Sequence, residues 1–161
     1  MLIEMSIKGL TVDPVTNMPI VILRDDQDRR ILPIWVGVFE ANAIALQIEN
    51  VHTPRPMTHD LLRNVIHDLQ ASVDRVVVAD VKDNTFFAYI HLDTPAGKVA
   101  IDARPSDAIA LALRTRSPIW VEEHVIDNAK TLDAATTRVD SQRLHQWLDS
   151  LDPDELGKYK M

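Results

Sequence analysis

Residues 73–103, "VDRVVVADVKDNTFFAYIHLDTPAGKVAIDA", decide the fold class of this chain. They contain three strand-like runs, at residues 73–81, 85–92 and 98–103. The segments between these runs, "KDN" and "TPAG", consist of residues that favour turns. Because short turns join the consecutive strands, the stretch predicts an antiparallel meander.

The sequence on either side of the meander adds helices and further strands. Residues 2–8 alternate between apolar and polar side chains, which is typical of a half-buried strand. Two more strands, at 19–24 and 29–36, are joined through the Asp-rich turn "DDQD". We therefore predict an α+β fold with a mixed, mainly antiparallel sheet and packed helices, completed by helices at 38–50, after the link "VHTPRP" and at 106–115, a strand at 118–121 and a helical turn at 122–129.

The length of the chain predicts one compact domain with a C-terminal appendage. The chain has 161 residues, of which 46% are hydrophobic, enough for one core. We place the domain at residues 1–129, a flexible loop at 130–140 and a C-terminal helix with a tail at 141–161. The last helix is predicted from the helical spacing of Leu144, Trp147, Leu148 and Leu151.

Charge and composition restrict the possible functions. The formal net charge is -7, so the protein as a whole repels a nucleic-acid backbone. Work on nucleic acid would need a local Arg cluster, a bound divalent cation or both. The absence of Cys excludes thiolate catalysis and Cys-based zinc sites, and it fits a cytoplasmic protein. The longest uncharged apolar run, residues 31–39, is shorter than the ~18 residues of a spanning helix, so we expect no membrane segment.

Two helix starts share one plan, in "RPMTHDLL" at 55–62 and "RPSDAIAL" at 104–111. Each has Arg, Pro, a hydroxyl residue and then Asp. Thr58 and Ser106 suit the N-cap position, and Asp60 and Asp107 complement the positive end of a helix dipole. The simplest interpretation is a pair of capped helices whose arginines pair with nearby aspartates.

Capping leaves Asp102 and Arg104 unexplained. Strand alternation predicts that both side chains point the same way and lie close together. Arg104 beside a helix N-terminus is suited to bind phosphate, while Asp102 and Asp107 are suited to hold Mg²⁺ or Mn²⁺. Glu40, at another strand-to-helix junction, would join this metal site if the strand ends meet at one edge.

His59 is the best candidate for proton transfer, because it precedes Asp60 and an imidazole titrates near neutrality. A solvated His at a helix start is the alternative interpretation. The sequence has no Walker lysine loop, dinucleotide-binding Gly pattern, paired-His zinc helix or Gly-flanked Ser nucleophile. We therefore predict no organic cofactor.

Four blocks resemble the signature motifs of the bifunctional nuclease family: "LPIWVGVFEANAIAL" at 32–46, "RPMTHDLLRNVI" at 55–66, "DARPSDAIALALR" at 102–114 and "PIWVEEHVI" at 118–126. The resemblance implies a nuclease acting on both RNA and DNA, with a compact mixed α and β domain that self-associates. It brings no settled set of catalytic residues. The motif positions that it carries over are Glu40, Arg55, His59, Asp60, Asp102, Arg104, Ser106, Asp107 and Arg114.

Three hypotheses for function follow. The first is a metal-assisted nuclease with the following assignments: catalytic His59, Asp60, Asp102, Arg104 and Asp107; substrate-binding Arg55, Ser106 and Arg114; metal-binding Glu40, Asp102 and Asp107. The second is a non-enzymatic, oligomeric binding or regulatory module whose Arg and Asp residues form a structural network. The third is a small-anion or nucleotide binder that uses Arg104 and a helix N-terminus. Convergence of the acidic residues in space would favour the first.

Overall fold

The computed structural model describes residues 1–129 of the chain. The order of elements agrees closely with the sequence-based assignment. In chain order they are β1 (Leu2–Val12), β2 (Pro19–Asp25), β3 (Ile31–Trp35), α1 (Val38–Ile48), α2 (Thr58–Asp68), β4 (Ser72–Lys82), β5 (Thr85–Thr94), β6 (Gly97–Ala103), α3 (Pro105–Thr115), β7 (Ile119–Glu122) and α4 (Glu123–Asn128). The predicted loop at 130–140 and the predicted helix and tail at 141–161 lie outside the described residues.

The seven strands form one sheet in the order β3-β2-β1-β7-β4-β5-β6. Every neighbouring pair is antiparallel except β4 and β7, which run parallel. The parallel pair arises because β7 inserts between the N-terminal strands and the meander. The predicted α+β class, with a mixed and mainly antiparallel sheet, is thus confirmed.

The turns have the backbone geometry that their residues favour. Asp83 and Asn84, between β4 and β5, both have positive φ (51° and 62°), as a two-residue hairpin loop requires. In the turn between β2 and β3, the Asp25 carboxylate accepts hydrogen bonds from the backbone N–H groups of Arg29 and Arg30. Local side-chain chemistry therefore determines both reversals.

Helices α1 and α3 cover one face of the sheet and form the core with it. Helix α3 packs against both α1 and α2, so it lies at the centre of the helical layer. Two strand residues, Val76 and Val78, meet this layer from β4. No helix in the described part of the chain is long and apolar enough to cross a lipid bilayer.

Helix α2 leaves most of its predicted apolar stripe exposed, and of that stripe Ile66 packs against the core. Its buried residue is His59, whereas Leu61 and Leu69, which belong to its apolar stripe, are 57% and 70% exposed. The physical reason is that the polar side chains of the first turn bind groups on α3, and these bonds fix which face points inward.

The predicted N-caps are wrong by one or two positions. Helix α2 begins at Thr58, so Met57 is its N-cap, and the Met57 N–H donates to the Asp60 carboxylate at 3.0 Å. Helix α3 begins at Pro105, with Arg104 as N-cap. Pro occupies the first helical position because it has no N–H to leave unpaired there. Ser106 is therefore inside the helix.

Candidate active site at the starts of three helices

The first turns of α1 and α2 and the start of α3 meet at a cluster of four charged or ionisable side chains. We call Glu40, His59, Arg104 and Asp107 the Arg104 cluster. Glu40 lies in the first turn of α1, His59 in the first turn of α2, and Asp107 in the first turn of α3, which Arg104 precedes. The sequence places each residue at a helix start, and helix packing brings the starts together.

Arg104 and Asp107 form the centre of this cluster. The Arg104 Nε donates to Asp107 Oδ2 at 2.8 Å, and its Nη2 lies 2.9 Å from Glu40 Oε1. The second oxygen of Asp107 lies 2.8 Å from His59 Nε2. One carboxylate thus bridges a guanidinium and an imidazole, while the guanidinium bridges two carboxylates.

Gly37 allows Glu40 to take its place in the cluster. Its φ of -70° is open to any residue, so backbone freedom is not the reason for glycine here. A Cβ at this position would collide with the Glu40 carboxylate. Any side chain would therefore displace Glu40 from Arg104.

The electrostatics of the cluster keep Arg104 and Asp107 charged. Burial raises the pKa of Asp107, but hydrogen bonds from Arg104 and then His59 outweigh burial, and the pKa lies below its ordinary value. Hydrogen bonds to Asp107 and Glu40 raise the pKa of Arg104. Both groups are therefore held in their ionised forms.

The cluster keeps unused hydrogen-bonding capacity. The Arg104 side chain is 64% exposed, and its Nη1 has no hydrogen-bond partner within residues 1–129. The His59 side chain is only 11% exposed, and its Nδ1 likewise has no bond to the described residues. A fixed imidazole next to an accessible guanidinium has the components for proton transfer beside an anion.

A second polar network lies one residue further along α2. Arg114 Nε donates to Asp60 Oδ1 at 2.7 Å, and its two Nη atoms donate to the backbone oxygens of Ala110 and Ala43, each at 2.9 Å. The network joins α2 and α3 to α1. Burial raises the pKa of Asp60, but the Met57 N–H and Arg114 outweigh it, and the pKa lies below its ordinary value.

The structure leaves Arg114 and Ser106 little surface for contact with a substrate. The Arg114 side chain is 2% exposed, and protein oxygens occupy three of its nitrogens. Ser106 is buried in the first turn of α3. Their position favours a structural role over the predicted substrate-binding role.

The predicted pairing of Asp102 with Arg104 is wrong. Strand β6 ends at Ala103, so Arg104 does not continue its alternation. Asp102 lies opposite Tyr89 in the sheet, whereas its neighbour Ala103 lies opposite the buried Ala88, on the side that faces the helices. The Asp102 side chain therefore points away from the helical layer and from the Arg104 cluster.

The arrangement does not fit the predicted divalent cation. Within residues 1–129, no group of three or more His, Asp or Glu side chains is placed to hold one ion. Arg104 occupies the position between Glu40 and Asp107, and Asp102 faces the other side of the sheet. The carboxylates of Glu40 and Asp107 pair with the Arg104 guanidinium and not with a metal ion.

Arg55, the remaining predicted site residue, lines a pocket of about 290 Å³ together with Asp60. Sequence reasoning missed two other members of this pocket, His52 and Arg63. A signal was available, because basic residues outnumber acidic ones across residues 52–63 of an otherwise acidic chain. Sequence reasoning also missed the role of Gly37, since only the packed structure shows which atom its missing side chain would meet.

Comparisons with known proteins identify the family to which the chain is similar. The family model of the bifunctional nuclease domain matches residues 21–133. A protein of Mycobacterium tuberculosis named as uncharacterized is 39% identical over 161 residues, covering 94% of this chain and 96% of the relative. Bifunctional nuclease 2 of Arabidopsis thaliana is 28% identical over 120 residues, 71% of this chain and 36% of the plant protein. Bifunctional nuclease 2 of Oryza sativa subsp. japonica is 29% identical over 119 residues, with the same two coverages.

Proposed function

Because the chain belongs to the bifunctional nuclease domain family, we propose that it hydrolyses phosphodiester bonds of RNA and DNA at the Arg104 cluster. The observation that supports this most strongly is the contact of His59 with Asp107. The same carboxylate also binds Arg104, whose side chain is exposed. An acidic carboxylate that fixes an imidazole beside an exposed cation is suited to phosphoryl chemistry. Within the cluster, the exposed guanidinium of Arg104 is the group that a phosphate would contact.

In the proposed reaction, His59 removes a proton from water while the water oxygen bonds to phosphorus. The bond between phosphorus and the leaving sugar oxygen breaks, and the leaving oxygen takes up a proton from solvent water, while His59 afterwards returns its proton to solvent. Asp107 stabilises the imidazolium that forms, and Arg104 offsets the charge that develops on the phosphate oxygens. Since water is the nucleophile, no ribose 2′-hydroxyl takes part, and RNA and DNA are both substrates.

A second candidate function is a non-enzymatic module in which the same side chains form a structural network. The observation in its favour is that both carboxylates of the Arg104 cluster already have a cationic partner inside the protein. This hypothesis predicts that variants of the cluster lose stability or assembly. Under this hypothesis neither the wild-type protein nor the variants cleave nucleic acid.

Cleavage of labelled single-stranded RNA and DNA by Asp107→Ala and Asp102→Ala variants tests the proposal. We expect Asp107→Ala to lower the cleavage rate at least about a hundredfold, since both His59 and Arg104 lose their partner. Asp102→Ala should cleave at the wild-type rate, because its side chain lies on the other face of the sheet. Equal cleavage by all three proteins, purified identically, would indicate a contaminating nuclease and contradict the proposal.

We further propose that the protein assembles into a homo-oligomer through α2. Leu61, Val65 and Leu69 leave an apolar stripe exposed on this helix, and such patches commonly mark protein contacts. We expect Val65→Glu to shift the mass measured by light scattering towards the monomer. Val15→Glu, in an exposed turn, is the matched control and should leave the mass unchanged. A monomeric wild-type protein would refute this assembly.

The other partners follow from the proposed chemistry. Nucleic acid is the substrate, and no step of the reaction above requires an organic cofactor.

A cytoplasmic location remains a proposal that rests on the cysteine-free sequence. Fractionation of cells that express a tagged chain would test it, and recovery outside the cytoplasm would overturn it.

A further inference from the structure

The pocket beside Asp60 has a composition that the proposed reaction does not explain. We call it the Arg55 pocket. Its walls are the C-terminal part of α1, residues 51–56 and the first two turns of α2. Its volume of about 290 Å³ is at the lower end of the range for small-ligand sites. A pocket of this size suits one nucleotide and not a longer segment of a strand.

Positive charge dominates the Arg55 pocket. Three arginines line it, against the single carboxylate of Asp60, which Arg114 already binds. Arg55 has no salt bridge to any residue within 1–129, and the Arg63 side chain donates only to the neutral amide oxygen of Asn64. Neither guanidinium group therefore forms a salt bridge with a carboxylate in the part of the chain that the structure describes, while the charge of Arg63 helps to lower the pKa of Asp60 nearby.

A hydrogen bond and two prolines restrain the loop that bears Arg55. The Thr53 hydroxyl donates to the Arg55 backbone oxygen at 2.7 Å, and Pro54 and Pro56 restrict the backbone on either side. Ligand binding then costs little ordering of this segment. The apolar walls, which include Leu46 and Val51, offer contact to a base or a sugar.

We propose that the Arg55 pocket binds the phosphate monoester of a nucleotide, with Arg55 and Arg63 holding the phosphate. A monoester carries close to two negative charges at neutral pH, whereas a diester carries one. Two guanidinium groups without carboxylate partners match the monoester in charge, and both can donate paired hydrogen bonds to it. The ligand is either the phosphorylated end of a strand or a free nucleoside monophosphate.

This inference rests on the proposed function, because it assigns the strand end or the product of that reaction to a site of its own. His59 and Asp60 are consecutive in α2, so the pocket adjoins the Arg104 cluster. A phosphate monoester is also what hydrolysis of a diester leaves behind. Binding is measured without cleavage, so the two proposals succeed or fail separately.

Fluorescence anisotropy tests the proposal with a short single-stranded DNA whose methylphosphonate linkages resist cleavage, labelled at its 3′ end and either phosphorylated or not at its 5′ end. In a second pair the two are exchanged, with the label at the 5′ end and the phosphate present or absent at the 3′ end. We expect one terminal phosphate to tighten binding about tenfold in the wild-type protein, as a charge-assisted contact provides. The Arg55→Gln, Arg63→Gln double variant should bind phosphorylated and unphosphorylated DNA equally.

The control is the Arg29→Gln, Arg116→Gln double variant, which removes the same charge from two sites that do not line the pocket. It should keep the tenfold preference. Competition by nucleoside 5′- and 3′-monophosphates and by inorganic phosphate shows whether the free product also binds. Competition that occurs in the wild-type protein but not in the Arg55→Gln, Arg63→Gln variant supports the proposal. If neither a terminal phosphate nor a monophosphate binds more tightly to wild type than to that variant, the proposal is wrong.

Discussion

Replacing His59 with Ala is expected to lower the rate of RNA and DNA cleavage by about a hundredfold to ten-thousandfold, the usual contribution of a general acid or base. The imidazole is held at 2.8 Å from Asp107, and its other nitrogen is unused among the described residues. Ala removes this group but leaves the bond between Arg104 and Asp107 in place. Initial rates on labelled single strands, at substrate concentrations above and below KM, measure the effect.

Two further measurements separate chemistry from folding in the His59 variant. His67→Ala, which alters the same helix at a position outside the cluster, should keep the wild-type rate. Free imidazole added to His59→Ala should restore part of the cleavage, which a residue with a purely structural role would not allow. Full activity of His59→Ala would remove the imidazole from the mechanism.

Replacing Asp60 with Ala is expected to lower the free energy of unfolding by about 3–5 kcal/mol, since it leaves the buried Arg114 guanidinium without a counter-charge. The loss includes the hydrogen bond from the Met57 N–H. Urea unfolding followed by circular dichroism measures it. Asp74→Ala, which breaks an exposed pair with Arg75, should cost less than about 1 kcal/mol.

The double variant Asp60→Leu, Arg114→Met identifies the cause of this loss. If an unpaired buried charge destabilises the single variant, removing both charges should recover part of the free energy. A double variant that is less stable than Asp60→Ala would show that packing around Arg114 contributes more than charge.

The contacts of Asp60 with Arg114 and of Asp107 with Arg104 and His59 predict a pH dependence of stability. The pKa values of Asp60 and Asp107 are lowered in the folded protein. A lowered carboxyl pKa means that the stabilisation is fully present above the unfolded-state pKa and is lost as the pH falls through the folded-state value. The free energy of unfolding should therefore fall from about pH 4 downwards, and less steeply in Asp60→Asn.

The elements of the fold could be predicted from the sequence because their signals are local. Alternation along residues 2–8, the Asp-Asn turn after β4 and the Ala-rich run of α1 each act over a few residues. The structure moves their boundaries by a few residues at most. The N-caps were misassigned because Met57 and Arg104 take the extended N-cap conformation without a side-chain cap, which residue type alone does not indicate.

The candidate site could be predicted only in part. The sequence singles out His59, Arg104 and Asp107 correctly as neighbours of helix starts, and the structure brings them together. It misplaces Asp102, because the alternation of β6 stops at Ala103 and the following residue belongs to a helix start. The predicted strand also ends at residue 103, but its alternation was extended to Arg104, which lies outside β6 as the N-cap of α3 and contacts the helix starts instead.

By itself, the sequence determined the α+β class, the order of elements and the residue types of the site, since periodicity, turn chemistry and helix-start motifs depend on near neighbours in the chain. Only the tertiary structure decided which polar groups meet. The insertion of β7 beside β4, the packing of α3 between its neighbours and the inward turn of His59 are contacts between residues far apart in sequence. Their free energies depend on distances that no local pattern encodes, and these distances brought Glu40 and His59 to the local pair of Arg104 and Asp107. Asp102 lies on the opposite face of the sheet.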